Sequence, residues 1–382
     1  MDLNGMDLND HVEGFITPVD EKRARVGWIA TRIHRGGGDG GCASLIHPTA
    51  PNRGCCFIVS LRAGPPGSFS DTLKTMNDTK FPAVTRIYQN HHLDSTRWER
   101  FEPRAGDVIT ATSVKSGTTW VQWIVLNLLF PEDPPASIGE ISPWLEMTAQ
   151  PLDATLDALE KTAHRRVIKT HLPLDGLRYF PEARYIIIGR DGRDVAMSLW
   201  AFYRDFSDEM YEMLYHSSKV DLPRCPEKFE EFWRAWVSRG WFAWEQDGYP
   251  FWSHLHFMQT WWEFRHSDNI LFVHFNDMLK NLEGAVRRIA AHLSIDLSPE
   301  RARHVAGIST FDSMKRNVKK TNAIPSKVLK GGPAGFFHKG TNGRWREVLT
   351  EHDLEMYQRA VARVLSPDCA KWLENGGEIA VG

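Results

Sequence analysis

The sequence predicts an α/β fold of three layers, in which a central parallel sheet is flanked by helices. Short apolar runs rich in β-forming residues alternate with helical segments from Asp107 onward. One of these runs, Tyr185–Gly189, is apolar without alternation, as expected of a strand that is buried on both faces. Because strands separated by helices usually pair in parallel, the order indicates one sheet covered on both sides.

The elements follow one another in a regular order. The predicted strands are Val108–Ser113, Arg166–Thr170, Tyr185–Gly189 and Ile270–Phe275. The predicted helices are Thr119–Phe130, Asp194–Tyr203 and Leu282–Leu293. Gly117 interrupts the pattern between the first strand and its helix. Helices therefore begin shortly after strands end, which places loops at the carboxyl ends of the strands.

The first 75 residues differ from the rest of the chain. They are rich in glycine and proline, at 36–38, 40–41 and 65–66, and show little periodicity. We predict a low-order N-terminal extension over 1–75, which need not belong to the native fold, and a folded domain over 76–382. No strand leads into the glycines and no helix follows them, so they do not indicate a nucleotide loop.

The composition is that of a globular protein, with 42% hydrophobic and 25% charged residues. A net charge of −2 argues against a nucleic-acid partner. No apolar run reaches the roughly 18 residues of a membrane helix, and the N-terminus lacks the pattern of a signal peptide, so we expect a cytoplasmic protein without a transmembrane segment. Five cysteines without paired spacing indicate a reducing compartment and no structural metal site.

One segment, Thr112-Ser-Val-Lys-Ser-Gly-Thr-Thr-Trp120, joins the first strand to its helix. Such a junction offers free backbone N–H groups and the positive end of the helix dipole, which together favour a bound anion. Gly117 lets the backbone approach a ligand closely, and Lys115 adds a positive charge. The segment also has three hydroxyl donors and one flat ring that suits a base, at Ser116, Thr118, Thr119 and Trp120. It therefore predicts a phosphate-binding loop.

A P-loop NTPase or kinase is the main rival interpretation of this loop. In the motif GxxxxGK[ST], the lysine follows the second glycine. Here Lys115 precedes Gly117, and no glycine stands five residues before Gly117. The loop thus suits phosphate but departs from the pattern of ATP hydrolases. A helix start rich in serine and threonine, without a ligand, is the structural alternative.

The loop resembles the 5′-phosphosulfate loop of the cytosolic-type sulfotransferases that use PAPS (3′-phosphoadenylyl sulfate). Lys115 to Trp120 match that loop, whereas Ser113-Val114 replaces the family's usual Tyr-Pro. We expect this replacement to affect the shape of the loop rather than its chemistry. The resemblance extends from Phe81 to Leu365 and looks closest to bacterial members, including glycolipid sulfotransferases of mycobacterial type. It implies a P-loop-like fold and PAPS as the sulfuryl donor.

A second block, Lys169-Thr-His-Leu-Pro173, follows the second strand. Because alternate residues of an extended chain face the same side, Lys169 and His171 point together. A histidine suits proton acceptance at neutral pH, but the chain has 16 of them. The resemblance singles out His171, since the family carries its catalytic base in a Lys-Thr-His block. It also implies that Lys115 and Lys169 stabilise charge on the bridging and sulfuryl oxygens.

A third block, Gly189–Ser198, follows the third strand. Arginine can hold a phosphate through two parallel hydrogen bonds, and a hydroxyl can add a third. In the family, an arginine and a serine eight positions later hold the donor's 3′-phosphate, which implies that role for Arg190 and Ser198. The charged residues of 191–194 are predicted to form a solvated cluster that caps the helix, with Asp194 as its N-cap or first-turn acid.

A late glycine-rich block, Gly331–Arg346, resembles the family's C-terminal signature Arg-Lys-Gly-x-x-Gly-Asp-Trp-Lys, which closes over the 3′-phosphate. His338 stands where Arg is usual, which removes a permanent charge, and Arg344 stands where Asp is usual. The resemblance implies donor contacts from this block and from two earlier segments, at Phe251, Ser309, Thr310, Phe337, His338, Lys339 and Gly340. Core packing is the alternative for Phe251.

The acceptor implied by the resemblance is a small molecule or a glycolipid with a hydroxyl group, and a homodimer is compatible with it. No metal is implied, because lysines can neutralise the transferred group. Aromatic residues that either line an apolar pocket or pack in the core are Trp144, Trp200, Phe202, Tyr203 and Phe206. Two alternatives stay open: a module that binds PAP without transfer, and a small-molecule kinase.

Overall fold

Four parallel strands form the central sheet of the protein, in a computed structural model that describes residues 81–131, 137–321, 326–332 and 340–379. The strands are β1 (Val108–Thr112), β2 (Val167–Thr170), β3 (Arg184–Gly189) and β4 (Ile270–His274). Their order across the sheet is β2–β1–β3–β4. Each strand begins and ends within one residue of its predicted bounds, so the predicted parallel sheet is confirmed.

The sheet is buried on both faces because its strands are apolar at consecutive positions. Along β3, Tyr185 and Ile187 pack into one hydrophobic cluster, whereas Ile186 and Ile188 pack into another. All four side chains are fully buried. Since side chains alternate between the faces of a strand, each face has its own helical layer. This is the predicted three-layer arrangement.

Helices cover both faces of the sheet. Among the described residues the α-helices, numbered α1 to α14 in chain order, are Thr118–Leu129, Ile138–Ile141, Leu152–Lys161, Gly192–Arg204, Asp208–Ser218, Phe229–Ser238, His254–Trp262, Phe275–Lys280, Leu282–His292, Pro299–Ile308, Phe311–Arg316, Val318–Thr321, Glu351–Val364 and Pro367–Asn375. Short 3₁₀ helices lie at Ser95–Arg100, Leu174–Gly176, Ser326–Val328 and Arg344–Glu347. Helices α1 and α9 pack on the face of Ile186, and α4 and α7 pack on the opposite face.

All four strands end at the same edge of the sheet, and polar or aromatic residues follow each end. In register, Ala111 of β1 pairs with Thr170 of β2, and Gly189 of β3 pairs with His274 of β4. The residues that come next include His171 after β2 and Arg190 after β3. The carboxyl edge of an open parallel sheet is the usual place for a ligand. The topology therefore brings the predicted blocks together.

The described residues belong to one compact unit, Lys80–Gly382. The predicted extension over 1–75 and its boundary at Met76 lie outside the described residues and stay a prediction. Within the described ranges, no helix has both the length and the apolar character that a membrane span requires.

Candidate active site

A cavity of about 380 Å³ opens at the carboxyl edge of the sheet. One end, termed the loop end, is defined by Gly117–Trp120, Arg190, Phe275 and Phe311. The opposite end, termed the histidine end, is defined by His92, Trp144, His171, Phe251 and Trp252. Lys115 links the two ends: its carbonyl accepts a hydrogen bond from Arg190 (3.0 Å), and its Nζ lies 4.4 Å from the centre of the Phe202 ring. The volume suits a small-molecule ligand.

The loop backbone presents N–H groups at the start of α1. Gly117, the N-cap residue, has a φ of +119°, which side-chain-bearing residues rarely adopt. Lys115 also has a positive φ, +68°. No residue that the structure describes accepts a hydrogen bond from the N–H groups of Gly117, Thr118 and Thr119. These groups lie at the positive end of the helix dipole and can bind a phosphate.

A chain of hydrogen bonds connects the loop to Arg190. The carbonyl of Arg190 can only accept, so His254 donates to it through Nε2 (3.0 Å). The Nδ1 of His254 therefore accepts from the hydroxyl of Ser113 (2.5 Å), which in turn accepts from the hydroxyl of Ser116 (2.6 Å). Ser113, which was expected to affect only the shape of the loop, thus ties it to the end of β3.

Ser116 lies behind the cavity wall in this structure. Its side chain is fully buried, its N–H donates to the carbonyl of Ser113 (3.3 Å), and it does not reach the cavity wall among the described residues. Its hydroxyl supports the loop through Ser113, and its predicted ligand contact stays a prediction. Thr118 and Thr119 line the cavity as predicted.

Two lysines line the cavity, as predicted. Burial, and then the nearby guanidinium of Arg190, lower the pKa of Lys115 to about 7. Burial lowers the pKa of Lys169 to about 8, against an opposing effect of Glu146. Both shifts arise because the ammonium form is poorly solvated in the cavity. An anion bound between these side chains would favour the charged forms.

Arg190 lies at the tip of β3, as predicted, and is almost fully buried. Its Nε and one terminal nitrogen donate to Oδ1 of Asn342 (3.2 and 2.7 Å), and the other terminal nitrogen donates to Lys115. Its guanidinium lies 4.1 Å from the centre of the Phe275 ring. Burial lowers the pKa of Arg190 to about 10, so the side chain is still charged at neutral pH. A fixed, buried guanidinium is well suited to a phosphate.

Ser198 of α4 lines the cavity together with Arg190, as predicted. Asp194 lies in the first turn of α4, as predicted, but the prediction that this charge cluster is solvated is wrong. Asp191 is the N-cap, accepting the N–H of Arg193 (2.9 Å), and Asp194 in the first turn accepts the N–H of Gly343 (2.7 Å). Both carboxylates are 5% exposed. They are buried because the late block packs on the start of α4.

His171 lies at the end of β2 and is 5% exposed. Its Nδ1 is 2.6 Å from the carbonyl oxygen of Thr112, and a carbonyl can only accept, so Nδ1 carries the proton. Burial, and then the nearby Lys169, lower the pKa of His171 to about 3. The imidazole is therefore neutral at physiological pH, with its lone pair on Nε2. That atom is the basic one.

A buried carboxylate, Glu146, holds the backbone at His171. It accepts hydrogen bonds from the N–H of His171 (2.6 Å), the hydroxyl of Thr170 (2.9 Å) and the indole of Trp98 (2.9 Å). Burial raises the pKa of Glu146, and these donors offset the cost of burying the charged form. The sequence motifs do not include Glu146. The one feature that could have indicated a buried acid is its position between two apolar residues, Leu145 and Met147.

Trp144 shows that Lys169 and His171 lie on one side of the chain, as predicted. The ring of Trp144 meets the His171 ring edge-on, with centroids 4.7 Å apart, and the Nζ of Lys169 lies 4.7 Å from the same ring. A cation over an indole face is favourable. His171 and Lys169 therefore share a single aromatic wall.

The aromatic surfaces of the loop end come from three separate segments. Trp120 lines the cavity as predicted, and its ring meets Phe275 edge-on with centroids 5.2 Å apart. Phe311 lines the same end. Sequence reasoning did not single out Phe275 or Phe311, although Phe275 directly follows β4 at the carboxyl edge. A position directly after a predicted strand was the feature of the sequence that could have indicated Phe275.

Ser309 and Thr310 hold this aromatic surface rather than form it. Among the described residues, the cavity wall includes Phe311 but neither Ser309 nor Thr310. The carbonyl of Ser309 accepts from the indole of Trp120 (2.7 Å), and the hydroxyl of Thr310 caps α11. Their predicted donor contacts stay predictions; in this structure the carbonyl of Ser309 fixes Trp120, and Thr310 begins the helix of Phe311.

Phe251 lies at the histidine end, away from the loop. Its ring is 5.3 Å from His92 and 5.2 Å from Tyr203, and it is buried. It lines the cavity there. The predicted contact of Phe251 with the donor stays a prediction; the structure places its ring on the wall beside His92, where it also packs in the core.

The late block is described only from Gly340 onward. Phe337, His338 and Lys339 lie outside the described residues, so their predicted contacts stay predictions. Gly340 lines the cavity with a φ of +65°, and a Cβ there would come within 2.5 Å of the Phe311 ring. Arg344 brings a further guanidinium to the cavity wall.

The aromatic residues predicted for an apolar pocket divide into two groups. Trp144 and Phe202 line the cavity. Tyr203 and Phe206 are fully buried in the core behind it, and the indole of Trp200 donates to the carbonyl of Pro226 (3.1 Å). The pocket interpretation thus holds for the first two, and the packing interpretation for the others.

Comparison with known proteins identifies relatives over most of the chain. A family model described as "Sulfotransferase domain" matches residues 105–368. A glycolipid sulfotransferase of Mycobacterium bovis (strain BCG / Pasteur 1173P2) is 30% identical over 319 residues, which cover 78% of this chain and 97% of that protein.

Solved structures resemble the fold described above. A retinol dehydratase in complex with retinol and PAP has a TM-score of 0.57 and 22% identity, covering 72% of this chain and 87% of that one. Mouse sulfotransferase SULT7A1, complexed with PAP, has a TM-score of 0.54 and 20% identity, covering 73% of this chain and 92% of that one. At these identities the likeness concerns the fold.

Proposed function

The chain belongs to the sulfotransferase family, and we propose that it transfers a sulfuryl group from PAPS to a hydroxyl of a small-molecule or lipid acceptor. The products would be PAP and a sulfate ester. The observation that carries the proposal is a neutral imidazole, His171, with its lone pair on Nε2, in one cavity with Lys115 and Lys169. Glycolipid sulfotransferases are among the relatives of the chain.

The loop end fits the two phosphate-bearing parts of PAPS. The N–H groups of 117–119, together with Lys115, would hold the 5′-phosphosulfate. Arg190 and Ser198 would hold the 3′-phosphate, with Arg344 as a further positive charge at the same wall. The rings of this end that suit the adenine are Trp120, Phe275 and Phe311. PAPS supplies the sulfuryl group when it is bound.

The chemistry requires one proton acceptor and neutralisation of charge. His171 Nε2 takes the proton of the acceptor hydroxyl, as that oxygen forms a bond to sulfur and the bond between sulfur and the 5′-phosphate oxygen breaks. Lys115 stabilises the charge that develops on the departing phosphate oxygen, and Lys169 stabilises the sulfuryl oxygens. The proton remains on the imidazole until solvent or product removes it.

The histidine end suits an apolar acceptor. Its walls are largely aromatic and methionine side chains, among them Trp144, Met147, Phe202, Met210 and Phe251. Such surfaces bind rings and alkyl chains through buried apolar area. Retinol, an apolar alcohol, occupies one protein of this fold. The acceptor is therefore a hydroxyl compound with a substantial apolar part.

Removal of the guanidinium of Arg190 tests the donor assignment. Arg190→Met should weaken PAP binding by roughly 10- to 150-fold, the loss expected for hydrogen bonds to a charged group, while AMP binding changes little because AMP lacks the 3′-phosphate. Calorimetric dissociation constants for PAP, AMP and ATP measure both effects. Arg224→Met, at an exposed arginine paired with Asp208, is the matched control.

The same measurements separate the alternatives. Tight binding of ATP with Mg²⁺ and no preference for PAP would indicate a kinase. PAP binding without transfer of labelled sulfate from PAPS to any acceptor of a hydroxyl panel would indicate a binding module. An unchanged dissociation constant for PAP in Arg190→Met would contradict the assignment of Arg190 to the 3′-phosphate.

Other parts of the proposal rest on the sequence. The cytoplasmic location is supported by five cysteines without paired spacing. A reaction without a metal and assembly as a homodimer stay predictions.

A further inference from the structure

A second histidine, His92, lines the histidine end of the cavity. It is 5% exposed and comes from the segment before the first 3₁₀ helix, far in sequence from His171. The ring centroid of His92 lies 6.2 Å from that of Trp252, and the centroid of His171 lies 6.3 Å from the same indole. Two imidazoles therefore flank one tryptophan at the place where an acceptor would bind.

The hydrogen bonds of its neighbour fix the proton positions of His92. The Nε2 of His91 lies 2.6 Å from the carbonyl of Pro250, so that nitrogen carries a proton and donates. The Nδ1 of a neutral His91 then has the lone pair and accepts from the Nδ1 of His92, with which it is in contact. The lone pair of His92 is consequently on Nε2.

Both histidines are held in the neutral form. Burial lowers the pKa of His91 to about 4. Burial, followed by the nearby His91 and His171, holds the pKa of His92 well below its usual value. In the neutral form, the Nε2 of His92 only accepts hydrogen bonds. It makes none to the part of the chain that the structure describes.

The surroundings of this acceptor atom are apolar. The ring of His92 contacts Phe206 (6.4 Å between centroids) and Phe251 (5.3 Å), besides Trp252. Met147 and Met210 line the cavity as well. A hydrogen-bond acceptor in such a wall loses its water when an apolar ligand enters, and the loss is costly unless the ligand supplies a donor.

We propose that Nε2 of His92 binds a second hydroxyl group of the acceptor, so that the preferred substrate is an apolar diol of which one hydroxyl is sulfated at His171. The inference rests on the proposed function, because it concerns the acceptor of that reaction. His92 is a specificity-determining residue here and takes no part in proton transfer. A compound with a single hydroxyl leaves the Nε2 lone pair unpaired, and sites built in this way discriminate against ligands that lack the donor.

Two matched pairs of acceptors test the proposal with the unmodified protein. One pair is 2-naphthol and 2,3-dihydroxynaphthalene, and the other is octan-1-ol and octane-1,2-diol. The kcat/KM of each diol is first divided by two, because a diol has two hydroxyls. In at least one pair, this corrected value should exceed the kcat/KM of the mono-alcohol by about 10-fold or more. Equal corrected values in both pairs overturn the proposal.

Two amide side chains of different length then identify which atom of His92 causes the diol preference. His92→Asn keeps an amide near the Nδ1 position, in reach of His91, but lacks an atom at Nε2; His92→Gln places an amide oxygen near Nε2. The diol preference should disappear in His92→Asn and persist in His92→Gln. A preference that survives in His92→Asn overturns the assignment to Nε2.

Binding measurements separate this proposal from the proposed function. PAP should bind all three proteins equally, since His92 lies at the opposite end from Arg190. PAP can bind to a protein that sulfates none of these probes. In that case, the dissociation constants of the same probes are measured with the PAP-bound protein. Equal or undetectable binding of the diol and the mono-alcohol then overturns the diol proposal but not the proposed function. Absence of PAP binding overturns the proposed function instead.

Discussion

The loop end and the histidine end of the cavity are built in different ways. The loop end rests on backbone geometry, with positive φ angles at Lys115 and Gly117 and N–H groups at the start of α1. The histidine end consists of side chains from segments far apart in sequence, such as His92, Trp144 and Trp252. The first arrangement recognises one constant chemical group, and the second is a wall whose shape depends on each side chain.

This difference implies that donor binding and transfer can be altered separately. Substitutions at the histidine end should change transfer while PAP affinity persists, whereas substitutions in the loop should lower PAP affinity. The junction is Lys115, which touches both Arg190 and Phe202. The following experiments test whether donor binding and transfer are separable in this way.

The largest effect is expected for His171→Ala. Loss of the imidazole that we propose as the base should lower kcat by about 10²- to 10⁴-fold, the usual contribution of a positioned proton acceptor. The PAP dissociation constant should stay within about twofold, measured by calorimetry beside a kcat assay with labelled PAPS. His216→Ala, at an exposed histidine of α5, is the control. Near wild-type kcat in His171→Ala would remove His171 from the mechanism.

A smaller effect is expected from pH. The pKa values of Lys115 and Lys169, about 7 and about 8, mean that both are ammonium ions below pH 7 and lose the proton above it. Because Lys115 is assigned to the phosphate that PAP keeps, PAP affinity should fall above pH 7, approaching tenfold per pH unit, with uptake of about one proton. Calorimetry in buffers of different ionisation enthalpy measures that uptake.

Lys115→Arg provides the control for the pH experiment, because a guanidinium stays charged over this range. Its affinity curve should be flatter between pH 7 and pH 9. A wild-type curve that rises with pH, or proton release on binding, would contradict the assigned direction.

The smallest effect concerns the bond between Ser113 and His254. Ser113→Ala and His254→Phe should each weaken PAP binding by roughly fivefold, since about 1 kcal/mol of hydrogen bonding holds the loop to Arg190. The double variant should lose less than the sum of the two single losses, because both changes break the bond between Ser113 and His254. Fully additive losses would show that the two residues act independently.

The loop, His171 and Arg190 were predictable because their chemistry is encoded by contiguous residues at strand ends. The alternation of apolar runs with helical segments likewise predicted the ends of each strand to within one residue. Glu146 and His254 were not predictable, since their roles arise from contacts with carbonyl and N–H groups of distant segments. A motif identifies a neighbourhood in the chain, whereas the direction of a side chain depends on packing.

Two residues illustrate that limit. Ser309 and Thr310 occupy a block that resembles a nucleotide-binding segment, yet the next residue, Phe311, faces the cavity. The helix start at Phe311 turns its neighbours away: Thr310 becomes a cap and Ser309 lies behind Trp120. The motif indicates the segment, whereas packing decides which of its side chains lines the cavity.

The support of His171 has a consequence for how such an enzyme can diverge. The base is held by the carbonyl of Thr112 and the carboxylate of Glu146, which belong to the core rather than to the acceptor wall. Mutations at Phe202 or Met210 can therefore accumulate without disturbing the proton acceptor. Changes at such positions can therefore alter which acceptor fits while the two contacts that hold His171 are kept.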